Sequence, residues 1–427
     1  AAARWGSRLT TTPGRMRLAV AATLAGLLVF AVVGTGALRA RERATKAVSR
    51  QAGLLIGAEV IYSSLADADA TATNTFLKAG LEPPDRRQVY VDDLATATTQ
   101  LAKVAGQAGT SGAAADAVGV ITKDLPTYSG LIEAARVNNR LGYPVGAAYL
   151  REASSLMQTD ILPAAGRLYQ AESGRLDRAY KSGRSALDVA GLVLGALLAL
   201  ALLGVTQVFI TRRTNRVLNP LLVVASVLTL VLAAWTLVAF FLSAAQLKQA
   251  QRKGSDPVQL LSSARILVSR AQVDENLALV ARGSGSQYLD DFNAVTGELG
   301  PPNGSSGLLD EAGSSVPEVG QPLTGTGGLY PAYLQAHALV LKAENSNNFA
   351  MAVELATGSA NGEQLLAATR LSDALNGRIG RAQVVFDSKA RGASHDLARL
   401  SLAGIGLVVL AAVLALLGVQ QRINEYR

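Results

Sequence analysis

The sequence predicts an all-α membrane protein with four transmembrane helices and two extracytoplasmic antiparallel four-helix bundles, set out as a parallel tandem repeat. Three observations predict it: four apolar runs of bilayer length, a one-sided charge distribution, and a helical outline that occurs twice.

The central pair of runs, 189–210 and 221–243, fixes the arrangement. Each is long enough to cross the roughly 30 Å hydrocarbon core as a helix. Only 211–220 joins them, with three arginines and no acid, so the pair is a transmembrane hairpin with its turn in the cytoplasm. Runs at 18–38 and 400–419 add two spans. The short pieces 1–17, 211–220 and 420–427 are then cytoplasmic, and 39–188 and 244–399 lie outside. Charge checks this independently. The outer segments hold 18 basic against 16 acidic residues and 13 against 15, so the whole formal excess of +8 falls on the cytoplasmic pieces. That is the positive-inside pattern, and it removes a nucleic-acid reading of the basic pI, because no basic face remains on a folded domain. The expected location is the plasma membrane, with both termini in the cytoplasm. Small residues at 34–37 offer a signal-cleavage point, but the run is longer than a typical signal core, so span one is expected to stay. The chain begins at Ala1 without methionine, and further residues are expected upstream.

Residues 39–78 contain no proline and two glycines, with Leu54, Leu55, Ala58, Ile61 and Leu65 on one helical stripe. They predict one helix running out of the membrane for about 60 Å. Helices follow over 87–105, over 113–141 with Pro126 inside, and from 145 back into span two, with Pro163 a point of bending. The second outer segment repeats the plan with helices at 244–281, 287–299, 329–344 and 349–399. Residues 300–328, rich in glycine, proline and serine, read as a long mobile loop, either a docking element or a spacer. Two local matches support duplication: Tyr90-Val-Asp92-Asp93-Leu94 with Tyr288-Leu-Asp290-Asp291-Phe292, and the stretch opening Arg167-Leu168 with that opening Arg370-Leu371. Their offsets, 198 and 203 residues, agree within a loop insertion.

These repeated residues, Tyr90, Asp92, Asp93, Arg167, Tyr288, Asp290, Asp291 and Arg370, are the candidate binding groups. The aspartates suit a cation or amino group, or simply complement the dipole of a first helical turn. The arginines suit a ligand carboxylate, or pair with a carboxylate on a neighbouring helix, the repeated aspartates being the natural candidates. Arg212, Arg213 and Arg216 form the candidate cytoplasmic signalling loop. No catalytic residue, metal site or cofactor is expected. There is no cysteine, and of the two histidines His395 adjoins span four while His337 reads as structural. The glycine clusters at 283–286 and 325–328 lack the spacing of a phosphate loop. Within the spans Gln207 is the main polar group, which suits anchoring and transmission better than transport. Gly191 and Gly195 allow close helix contact.

The plan as a whole, with Leu9-Thr-Thr-Thr-Pro-Gly-Arg15, Ala147-Ala-Tyr-Leu-Arg-Glu-Ala-Ser154 and Ile161-Leu-Pro-Ala-Ala-Gly-Arg-Leu-Tyr169, resembles the actinobacterial GlnX-type membrane proteins. The resemblance implies a signal relay. Outside, a GlnH-like solute-binding lipoprotein that recognises amino acids such as aspartate and glutamate is the implied partner. Inside, it is a serine/threonine protein kinase of the protein kinase G type, or an adaptor. Membrane lipid is a further partner and a homo-oligomer is possible. A direct small-molecule receptor and a structural or assembly factor of the envelope are the alternatives.

Overall fold

The computed structural model describes residues 12–78, 82–109, 111–183, 186–214, 219–316, 320–358 and 363–424. Among them helices are the only regular elements: α1 (Thr12–Phe76), α2 (Pro84–Ala108), α3 (Ala113–Arg140), α4 (Val145–Leu156), α5 (Leu162–Ser182), α6 (Ala186–Thr214), α7 (Pro220–Ala250), α8 (Asp256–Ala281), α9 (Ser286–Leu299), α10 (Leu308–Ser315), α11 (Leu329–Asn345), α12 (Phe349–Thr357) and α13 (Glu363–Asn424). The chain divides into two units. One comprises Ala1–Ser49, Arg178–Gln249 and Ser388–Arg427, the other Arg50–Asp177 and Ala250–Asp387.

The first unit holds the apolar runs. Three helical stretches, Arg15–Phe76, Val145–Arg212 and Pro220–Ala281, contain segments long and apolar enough to cross a membrane, and Gly406–Gln421 is a shorter apolar helix. The predicted fourth span at 400–419 lies in α13, and the side chains of 400–405 fall outside the described residues. Large apolar side chains such as Leu194, Val205, Leu230 and Phe241 are exposed along α6 and α7, the surface a lipid-facing helix presents. Small residues and hydroxyls hold α1 against α6. A Cβ added at Gly195 would stand 3.6 Å from the Phe30 Cα and one at Gly191 3.5 Å from the Val33 side chain, while Thr23 and Thr206 share a hydrogen bond of 2.8 Å. Arg41, buried, donates to the Phe240 carbonyl at 3.0 Å and to Ser243 at 3.2 Å, tying α1 to the end of the apolar stretch of α7. Asn219 begins α7 by accepting from the Leu221 N–H, and its amide donates to the Gly418 carbonyl at 2.6 Å.

The second unit contains most of the two segments expected to lie outside, as Arg50–Asp177 and Ala250–Asp387. The first half builds its core from Ile61, Leu65, Ile121, Tyr128, Ile132, Leu150, Met157 and Leu168, and Val273 and Leu277 of α8 enter the same core. The second half gathers Leu261, Leu267, Phe292, Leu309, Tyr333 and Leu371. All five residues of the stripe predicted on α1 are buried.

Three departures from the sequence reading have physical causes. Residues 300–328 are not simply a loop: they form α10 and supply Leu309, Ala312, Val316 and Leu323 to the core. Their glycines serve close backbone approach. Gly300 (φ 103°) and Gly307 (φ 100°) lie so near each other that a Cβ on either would strike the other's backbone. The last helix, expected unbroken from 349, stops at Thr357, where Gly358 takes φ 76° and caps α12. Finally, the prolines produce π-helical turns: Met157–Ile161 ends two residues before Pro163, and Gln251–Ser255 ends two before Pro257. Proline lacks the N–H that the carbonyl four residues earlier would accept, and the widened turn absorbs the mismatch. In the second of these turns Gly254 packs 2.9 Å from the Phe386 Cα, measured from where a Cβ would stand, so α13 reaches this close only because the residue is glycine.

Candidate functional site

Polar residues recur at three- and four-residue spacing on α1 (Glu59, Ser63, Asp67, Thr71, Asn74) and on α8 (Ser262, Arg265, Ser269, Gln272, Asn276). That spacing lays each set along one helix face, as in a coiled-coil seam. In the second unit the two faces meet. Arg265 pairs with Asp67, Ser269 donates to Asp67 at 2.6 Å, Asn74 donates to Asn276 at 3.4 Å, and Asn276 donates to Thr73 at 3.2 Å. Ser269 against Asp67 and Asn276 against Asn74 are each 202 residues apart, so the helices run parallel and in register. Glu59, almost fully buried, continues the seam beside Ser262, and burial pushes its pKa up. A polar seam specifies register while binding less tightly than an apolar one.

A cleft of about 300 Å³ opens beside the seam. Asp67, Thr71 and Asn74 of α1, Arg86, Val89 and Asp93 of α2, Arg265, Ser269 and Gln272 of α8, and Thr369, Ser372, Asp373 and Asn376 of α13 line it. Of the sequence candidates, Asp93 alone reaches this cleft. Burial first, and then the nearby Asp67, raise its pKa to about 7. Its counterpart Asp291 is exposed and acts electrostatically on Asp274, which lies 1 % exposed on α8 with its pKa raised to about 7, chiefly by burial. Asp92 is exposed and accepts from Gln88 at 2.8 Å, and Asp290 is exposed. Tyr90 is buried beneath Arg136, whose guanidinium stands 4.2 Å from the ring centroid, and Tyr288 packs against the first core. Arg167 and Arg370 are exposed, and among the described residues neither pairs with the repeated aspartates. Arg212 is exposed, whereas the side chain of Arg213 and all of Arg216 lie outside the described residues, as does the side chain of His395.

Other buried polar groups belong to the interior. His337 contacts Glu275 at 2.6 Å and stacks on Phe292 with ring centroids 3.8 Å apart. Among the described residues no cluster of three metal-ligating side chains occurs. Asp69 is fully buried, and its carboxylate accepts from Tyr128 at 3.2 Å and Ser154 at 2.7 Å. These donors offset only part of the cost of burying the charge, and the pKa stands at about 6. Because the folded state holds this proton more tightly than the unfolded chain, the stabilisation is complete below about pH 4 and is lost as pH rises through 6. Asp69→Asn keeps the shape and neutrality of the acid. Wild-type stability is therefore expected to fall by about 1–1.5 kcal/mol more than that of the variant between pH 5 and pH 8, read from urea midpoints.

Residues 43–181 match the family described as the actinobacterial sensor domain. The match spans about a third of the chain and covers the outer part of α1 through α5, including Asp67, Asp69 and Asp93. It supports a sensor protein of the actinobacterial type, with a role in sensing or signalling. No curated protein and no solved structure matches the chain.

Proposed function

We propose that the chain is a transmembrane signal relay of the plasma membrane. On this reading both termini and the short basic loop face the cytoplasm, and the two outer segments, a duplicated bundle, face outward. An amino-acid-loaded solute-binding lipoprotein docks outside, and a cytoplasmic serine/threonine kinase or its adaptor reads the basic segments. The chain itself carries no catalytic step. One observation supports this most: α1 is a single uninterrupted helix that contains both an apolar stretch long enough to span a bilayer and the polar seam residues Asp67 and Asn74. A change of partner along the seam is thereby covalently continuous with a membrane segment. Docking shifts the helices by no more than the partner's differential affinity for the two arrangements.

The cleft beside the seam favours a second reading, a receptor that takes its solute directly. Capture of the candidate lipoprotein by the full-length chain in detergent, with and without aspartate or glutamate, separates the two. Amino-acid-dependent capture is expected under the relay. Absence of capture with folded protein, together with ligand-dependent melting of the chain alone, transfers the role to the cleft. A chain that answers to neither, and whose loss disturbs the cell surface with no change in kinase phosphorylation, is an envelope factor.

A further inference from the structure

Two side chains of opposite charge that border the cleft, Asp93 and Arg86, make no ion pair among the described residues. Asp67 and Arg265 satisfy each other, and Asp373 is exposed on α13. Asp93, on the cleft side of α2, makes no ion pair among the described residues, and burial first and then Asp67 raise its pKa to about 7 although the charge of Arg265 acts in the other direction. Arg86 also lines the cleft, is half-buried, and makes no ion pair among the described residues. Seven residues separate the two, which places them on one face of α2 about 10 Å apart along its axis. Between and around them the lining alternates hydrogen-bonding groups (Thr71, Asn74, Gln272) with apolar surface (Val89, Ala368). The space, about 300 Å³, matches the lower end of small-ligand pockets.

We propose that this cleft binds a small zwitterion, a molecule carrying a primary ammonium and an anionic group several ångströms apart, with Asp93 holding the ammonium and Arg86 the anion. The guanidinium offers a bidentate fork to a carboxylate, and the ammonium supplies a direct ion pair to Asp93. The carbon chain between the two charges lies on Val89. The inference rests on the sensor reading but not on the lipoprotein.

The test uses the purified full-length chain in detergent with no lipoprotein present, and a series that varies the charge separation: glycine, β-alanine, 4-aminobutyrate, 6-aminohexanoate and L-glutamate. At least one member is expected to raise the melting temperature by about 5–10 °C at a hundredfold excess over its Kd. Its N-acetyl derivative and its decarboxylated amine are expected to have no effect. Asp93→Asn and Arg86→Gln should each weaken binding by about tenfold or more without lowering the ligand-free melting temperature. A flat response across the series overturns the proposal, as does a response that survives N-acetylation, loss of the carboxylate, or either substitution. Because lipoprotein capture is read separately, a flat response beside intact capture removes the cleft ligand and leaves the relay standing.

Discussion

Arg265→Ala is expected to destabilise the second unit by about 3 kcal/mol. Its guanidinium is the cation that faces Asp67 across the seam, and Asp93 and the buried Glu59 also feel its charge. Truncation leaves Asp67 with only the Ser269 hydroxyl among these seam partners and places three carboxyl groups near one another without a counter-charge. The side chains of Arg265 and Asp67 keep 16 % and 21 % exposure, which sets the cost at the lower end of the range for breaking a buried pair. Denaturant midpoints of the detergent-solubilised chain measure it. The double replacement Asp67→Asn with Arg265→Gln removes both charges and keeps hydrogen-bonding groups in place, so it is expected to recover most of the loss. An Arg265→Ala variant within about 0.5 kcal/mol of wild type would show the pair to be a surface ion pair in energetic terms.

Leu277→Ala is expected to cost about 2–5 kcal/mol, and to cost it in the first half of the second unit, around α1 to α5, rather than around the core of its second half. Leu277 is 2 % exposed and sits with Val273 in the core otherwise built from α1 to α5. Removing its side chain opens a cavity among residues that precede it by more than a hundred positions. Hydrogen exchange of the amides around Ile61 and Leu65 is the local readout, and faster exchange there than around Leu371 is the expected pattern. The same packing predicts that a fragment limited to 43–181, the stretch matching the sensor domain family, melts well below the same residues in the full chain, since it lacks both Val273 and Leu277.

That shared core marks the boundary of what could be read from the sequence. Helix positions were legible because Leu54, Leu55, Ala58, Ile61 and Leu65 carry an apolar stripe and Gly142 and Gly283 break the chain where helices end. Of the repeated aspartates, Asp93 lines the cleft from α2, whereas Arg167 and Arg370 are exposed, because local similarity says nothing of the face a side chain takes. The seam was missed although its signal was present: polar residues at three- and four-residue spacing on α1 and α8 look like a solvated face until two such faces are set against each other. Residues 300–328 misled for a related reason. Glycine there permits a close crossing of backbone, and composition alone does not separate that use from mobility.

Locking the seam tests the central claim most directly. The chain has no cysteine, so Asn74→Cys with Asn276→Cys introduces one thiol on each facing helix and no other. A short bis-methanethiosulfonate then bridges α1 to α8 in whole cells, and a reductant removes the bridge. If the seam carries the signal, kinase phosphorylation in response to external aspartate or glutamate disappears on cross-linking and returns on reduction. Undiminished phosphorylation from fully cross-linked protein would contradict the account and assign the α1–α8 contact to the static core.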